Sequence, residues 1–125
     1  MRLRRLLVCG CICAALGAST ISGGAPASVG SATLKPVTVR LGEFFFRPRV
    51  ATVRVGQPVR FVNVGKIEHT VADTDARGNI RSKLIRPRPL AHGQVQVVRF
   101  ARPGTVRYLC TFHPTLMRGR IVVVR

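Results

Sequence analysis

The chain has 125 residues, enough for one compact domain and little more. Its formal net charge is +17, from 21 Lys and Arg against 4 Asp and Glu, a field that favours anionic partners. With no Trp and a single Tyr it has few aromatics on which bases could stack, which argues against nucleic acid as the partner.

The first segment reads as a leader. "MRLRR" is basic, "LLVCGCICAALGA" at 6–18 is apolar, and small residues run on to "APA" at 25–27. This three-part pattern is that of a secretory signal peptide over residues 1–27, and the apolar run is too short to span a membrane comfortably. Export would place the protein in the periplasm, the cell envelope or outside the cell, with no membrane span after cleavage. Cys9, Cys11 and Cys13 would leave with the leader, so Cys110 is the one cysteine of the mature chain. A lone thiol in an oxidising compartment is a liability unless it is buried or bound.

Residues 28–36, "SVGSATLKP", form a polar linker, and the domain is expected over 37–125. "VTVRL" (37–41), "RVATVRVG" (49–56) and "PVRFVN" (58–63) carry β-branched residues in partial alternation between turn formers, as strands do. "HTVA" (69–72) is a further short strand, followed by the turn-rich "DTDARGN" at 73–79. The segment 80–92, "IRSKLIRPRPLAH", holds three prolines and is expected as a long basic surface loop. "QVQVVRF" (94–100), "TVRYLC" (105–110) and "GRIVVVR" (119–125) complete an all-β set of about seven to eight strands, which indicates a β-sandwich.

The chemistry is concentrated in "CTFHPTLM" at 110–117. A thiolate and an imidazole on one tight loop can turn toward a single metal ion, and Met117, the mature chain's one methionine, follows four positions after His113. Soft sulfur with imidazole suits copper, and a trigonal His₂Cys set with a weak axial Met needs a second histidine. His69 and His92 are the two available. His69 is the better candidate because it opens an apolar strand, whereas His92 precedes a glycine turn. Zinc would have little use for the thioether. A catalytic Cys–His pair would lack an evident orienting or oxyanion group, so no enzyme is expected.

These motifs resemble the cupredoxins, the small type 1 blue copper proteins, and among them the amicyanin, pseudoazurin and plastocyanin branch. The resemblance rests on "FFFRPRVATVRVGQPVRFVN", "HTV" and "PGTVRYLCTFHPTLMRGRIVVV". It implies an eight-stranded Greek-key sandwich holding one copper ion. His69, Cys110 and His113 would be equatorial ligands and Met117 the axial one. His113 would emerge through an apolar patch of Phe112, Pro114 and Leu116. The implied task is single-electron transfer between redox partners through Cu(I)/Cu(II) cycling, and the net charge of +17 points to a monomer steered to an acidic protein partner. Glu68 stands where the family often has Pro, and Thr70 where several members have an Asn tying the ligand loops together. The alternatives are a chaperone or scavenger of Cu(I), which would use similar ligands, and a metal-free basic module adhering to anionic envelope polymers. The basic segment 80–92 is read either as a partner-docking element or as a solubilising loop.

Overall fold

The computed structural model describes residues 23–25 and 33–125. The leader over 1–27, apart from residues 23–25, and much of the 28–36 linker lie outside the described residues. The described residues from 33 to 125 belong to one compact unit. Among the described residues every regular element is a strand: β1 Val37–Gly42, β2 Phe45–Arg47, β3 Val50–Arg54, β4 Val59–Asn63, β5 Ala72–Thr74, β6 Val95–Val98, β7 Gly104–Leu109 and β8 Arg118–Val124. No helix there is long and apolar enough to cross a membrane.

The strands form two four-stranded sheets, ordered β2-β1-β4-β6 and β3-β8-β7-β5. Each is mixed, since β1 runs parallel to β4 and β3 parallel to β8 while the other pairs are antiparallel. Period-two burial sets the layers, as side chains along a strand point alternately to either face. Val39 and Leu41 of β1, Val59 and Phe61 of β4, Val53 of β3, Tyr108 of β7 and Ile121 of β8 meet in one buried cluster. Arg40, Arg54, Arg60, Arg107 and Arg120 fall on alternate positions and face solvent. The all-β sandwich expected from the sequence is thus what the chain forms.

Three local expectations change. β2 has no counterpart in the sequence reading: it is three residues long and lies between the Gly42–Phe44 turn and Pro48, too short to show alternation. "HTVA" is not a strand. His69 makes an isolated bridge to Leu90, and regular pairing begins only at Ala72. The reason is local, because the Thr70 amide is directed at the Cys110 sulfur and not at a neighbouring strand. The segment 80–92 is a loop, as expected, yet it is pinned from within. Asp73 Oδ1 accepts the amides of Leu84 and Ile85 at 3.0 and 2.7 Å, and Ile85 and Leu90 are buried in the core.

Tyr108 fills the centre of the sandwich, edge-on to Phe46 and Phe61 with ring centroids 4.9 and 5.3 Å away. It faces Gly119 across β7 and β8, where an added Cβ would stand 2.5 Å from the ring and hydroxyl. The phenol is buried without a hydrogen-bond partner, and burial raises its pKa far above the usual 10. In the unfolded chain the same phenol ionises near ~10, so above that pH the unfolded state has lost a proton that the folded state keeps. Stability therefore falls as pH climbs past that point. Tyr108→Phe is expected to leave neutral-pH stability unchanged or raise it by about 1 kcal/mol, and to flatten the alkaline decline. Chemical denaturation of both proteins between neutral pH and pH ~11 checks this.

Candidate metal centre

The loop between β7 and β8 is closed by two consecutive tight turns. The His113 amide donates to Cys110 O at 3.2 Å, and the amides of Leu116 and Met117 donate to His113 O at 3.2 and 2.9 Å. Pro114 occupies the second position of the latter turn, where its fixed φ is favourable. The Cys110 amide donates to Met117 O at 3.1 Å, drawing the two ends of the loop together. Four sequence-predicted residues enter this region. The donor atoms of His69, Cys110 and His113 lie within 4.8 Å of one another, and Met117 is fully buried at the foot of the loop.

The spacing is informative. Cys110 Sγ is 3.9 Å from His69 Nδ1 and 3.8 Å from His113 Nδ1, too long for strong direct hydrogen bonds. Metal–sulfur and metal–nitrogen bonds of ~2.3 and ~2.05 Å meeting at trigonal angles would separate the donors by about 3.8 Å. The donors therefore stand as ligands of one shared ion would. Copper fits this chemistry of thiolate, two imidazoles and an adjacent thioether. His92 lies elsewhere, exposed, its Nδ1–H donating to Gly65 O at 2.8 Å.

His69 and Cys110 are completely buried, while His113 is partly exposed. Burial lowers the pKa of His69, the positive charge of His113 adds to that, and Glu43 opposes it weakly. The ring consequently stays neutral, and able to accept a metal, at pH values where a free histidine is protonated. Thr70 supports the thiolate: its amide points at Cys110 Sγ from 3.4 Å. Its hydroxyl accepts the Thr111 amide at 2.8 Å and lies 2.7 Å from the Thr111 hydroxyl. Where several members of the resembled family have an Asn, the Thr70 hydroxyl thus ties the two loops together, from His69's neighbour to Cys110's neighbour.

Two residues of the site were not visible in the sequence reading. Asn63, fully buried at the end of β4, donates to Ile67 O at 2.8 Å and Leu90 O at 2.6 Å and accepts the Gly65 amide at 2.8 Å. Leu90 in turn exchanges backbone bonds of 3.2 and 2.8 Å with His69, so Asn63 helps to fix the position of that histidine. Its place in "VRFVN" is the one available signal. Phe44 stands edge-on to His113 with centroids 4.9 Å apart, and holds a left-handed φ of 67°. Such a backbone is strained for a bulky residue and is retained mainly where function or packing demands it. Glu43 beside it caps the 64–68 loop, its carboxylate accepting the amides of Lys66 and Ile67. Those bonds, the Lys66 one foremost, hold its pKa below the usual carboxylate range.

A β-sandwich with two imidazoles and a thiolate converging at a loop junction defines a mononuclear metalloprotein of the cupredoxin class. The profile described as copper binding proteins, plastocyanin/azurin family, matches residues 35–124, and the chain belongs to that family. It is 26% identical to amicyanin-alpha of Methylorubrum extorquens over 97% of this chain and 99% of that one. It is 25% identical to the amicyanin of Paracoccus versutus over 83% and 76% of the respective chains. The purple cupredoxin of Nitrosopumilus maritimus shares the fold, with a TM-score of 0.66 and 23% identity over 70% of this chain and 99% of that one.

Thr70→Val, which keeps shape and removes the hydroxyl, leaves the Thr111 amide without its acceptor. The expected result is a loss of roughly 1–2 kcal/mol in the metal-free protein and faster metal loss from the loaded one. Denaturant unfolding and chelator competition measure the two effects. Unchanged values in both would remove Thr70 from its bridging role.

Proposed function

We propose that the protein is an exported type 1 blue-copper electron carrier, with His69, Cys110 and His113 as equatorial ligands and Met117 as the axial one. The observation that carries this reading is the convergence of two imidazoles and one cysteine sulfur, their donor atoms within 4.8 Å of one another, with only His113 reaching the surface. Copper bound there would supply single-electron Cu(I)/Cu(II) cycling. The chain's own residues do the rest. The buried His69 and Cys110 exclude water, and the Thr70 amide and hydroxyl hold the sulfur in place.

His113 offers the shortest path from the donor set to solvent. Around it Phe44, Phe112 and Leu116 are exposed by 49%, 51% and 63%, a collar suited to brief apolar contact with a redox partner. Phe112, Leu116 and the exposed Pro114 match the patch expected from the sequence, and Phe44 adds to it. The basic surface would steer an acidic partner to this end of the sandwich, in a weak encounter between monomers that turns over fast. Residues 1–27 would serve as the leader and 37–125 as the copper domain, working in the periplasm or cell envelope. Catalysis has no role in this reading.

Delivery of Cu(I) would call for an accessible thiolate, and Cys110 is wholly covered. Retention through both oxidation states is therefore expected. Repeated oxidation and reduction of the copper-loaded protein in the presence of a Cu(I) chelator should give reversible cycling with the metal kept. Stoichiometric release on the first reduction would instead establish copper handling.

A further inference from the structure

The outer face of the β3-β8-β7-β5 sheet carries a cavity of about 430 Å³, lined by Arg49, Arg77, Arg107, Arg118 and Arg120, with Asp75 the one acid. The strand period puts these cations there. Arg118 and Arg120 take alternate outward positions on β8, and Arg107 sits directly opposite Arg120 on β7. Like charges facing each other across a strand pair destabilise it unless something neutralises them.

Asp75 is the one carboxylate in the cavity lining, a single negative charge against five arginines, and among the described residues no ion pair joins it to any of them. The protein's four acids are Glu43, Glu68, Asp73 and Asp75. Glu43 caps the amides of Lys66 and Ile67, and Asp73 those of Leu84 and Ile85. Glu68 is exposed on the loop leading to His69. Asp75 accepts the amides of Arg77 and Asn79 and the Asn79 side chain, all at 2.9 Å. Among the described residues the single ion pair is Asp75 with Arg81 at 3.6 Å, and Arg81 is not one of the five arginines of the cavity.

The arginines are also partly oriented. Arg118 Nε donates to Pro114 O at 2.6 Å, its terminal nitrogens have no hydrogen-bond partner among the described residues, and Nη1 lies 3.6 Å from where a Cβ on Gly78 would be. The absent side chain at Gly78 keeps that edge of the cavity open. A volume of this size belongs to small-molecule sites, larger than a lone halide or phosphate needs. Guanidinium forks match the oxygens of phosphate-type groups two at a time.

We infer that this cavity binds a small polyanion bearing two or more phosphate-type groups, of the pyrophosphate class. The ligand supplies the negative charge that the facing Arg107–Arg120 pair lacks. Site and ligand are independent of the copper reading, since no copper-ligand side chain lines the cavity.

Isothermal titration of the copper-loaded full chain with pyrophosphate, at ionic strength held constant with sodium chloride, tests the inference. Saturable binding of a single pyrophosphate is expected. Arg107→Gln and Arg120→Gln should each weaken it by about tenfold or more, the loss of a charge-assisted bidentate contact. Lys83→Gln and Arg86→Gln, in the basic 80–92 loop, should bind as the parent does. Removing one of two facing cations should leave the melting temperature unchanged or raised without ligand, so weakened binding in these variants will not reflect unfolding. Binding that weakens alike in all four variants would overturn the inference in favour of a diffuse surface field. A cavity that binds polyglutamate, sensitive to Arg107→Gln, and leaves pyrophosphate unbound would overturn it in favour of an acidic protein partner.

Discussion

Thr70 joins the two chain segments on which the metal donors sit. It follows His69 directly, its amide faces the Cys110 sulfur, and its hydroxyl holds the Thr111 backbone. The residues it couples are forty or more positions apart in the chain, so the cysteine sulfur and the buried imidazole are held close together by the protein itself. Closure of the 110–117 loop by the Cys110–Met117 backbone bond then fixes the far side. Such bracing would limit rearrangement between oxidation states, as the proposed single-electron transfer asks of its scaffold. Asn63 performs the matching task for His69 by holding Leu90 and the 64–67 loop.

The scarcity of acids shapes the rest of the molecule. Three of the four carboxylates accept backbone amides in loops, where they order irregular chain near the metal end and beneath the basic segment. In a chain of net charge +17 this leaves most cations without a protein partner. The arginine-lined cavity on the second sheet is one consequence. The basic outer surface is the other, and both depend on ionic strength in the same direction.

Local pattern and local chemistry were legible in the sequence. β1, β3, β4, β6, β7 and β8 announce themselves by alternating β-branched residues and bounding turns, and their ends move by only a few positions in the structure. Cys110, His113 and Met117 could be read together because one loop carries them all. His69 joins Cys110 and His113 as the sequence suggested, but not by the strand expected at 69–72: an isolated bridge to Leu90 holds it in place. What stayed hidden depends on contacts distant in sequence. Phe44 meets His113 across most of the domain, β2 is too short to show a period, and the Thr70 amide abandons strand pairing for a sulfur atom. The five arginines of the cavity come from four separate stretches, so composition shows their charge without their convergence.

The direct measurement is a copper titration of the purified protein followed by visible absorption and electron paramagnetic resonance. An intense thiolate-to-copper band with narrow copper hyperfine splitting, saturating at a single copper per chain and absent from Cys110→Ser, is the result expected of this donor set. A chain that stays colourless after an oxidant is added, or a Cys110→Ser variant that keeps the band, would contradict the assignment of His69, Cys110, His113 and Met117 as a blue copper site.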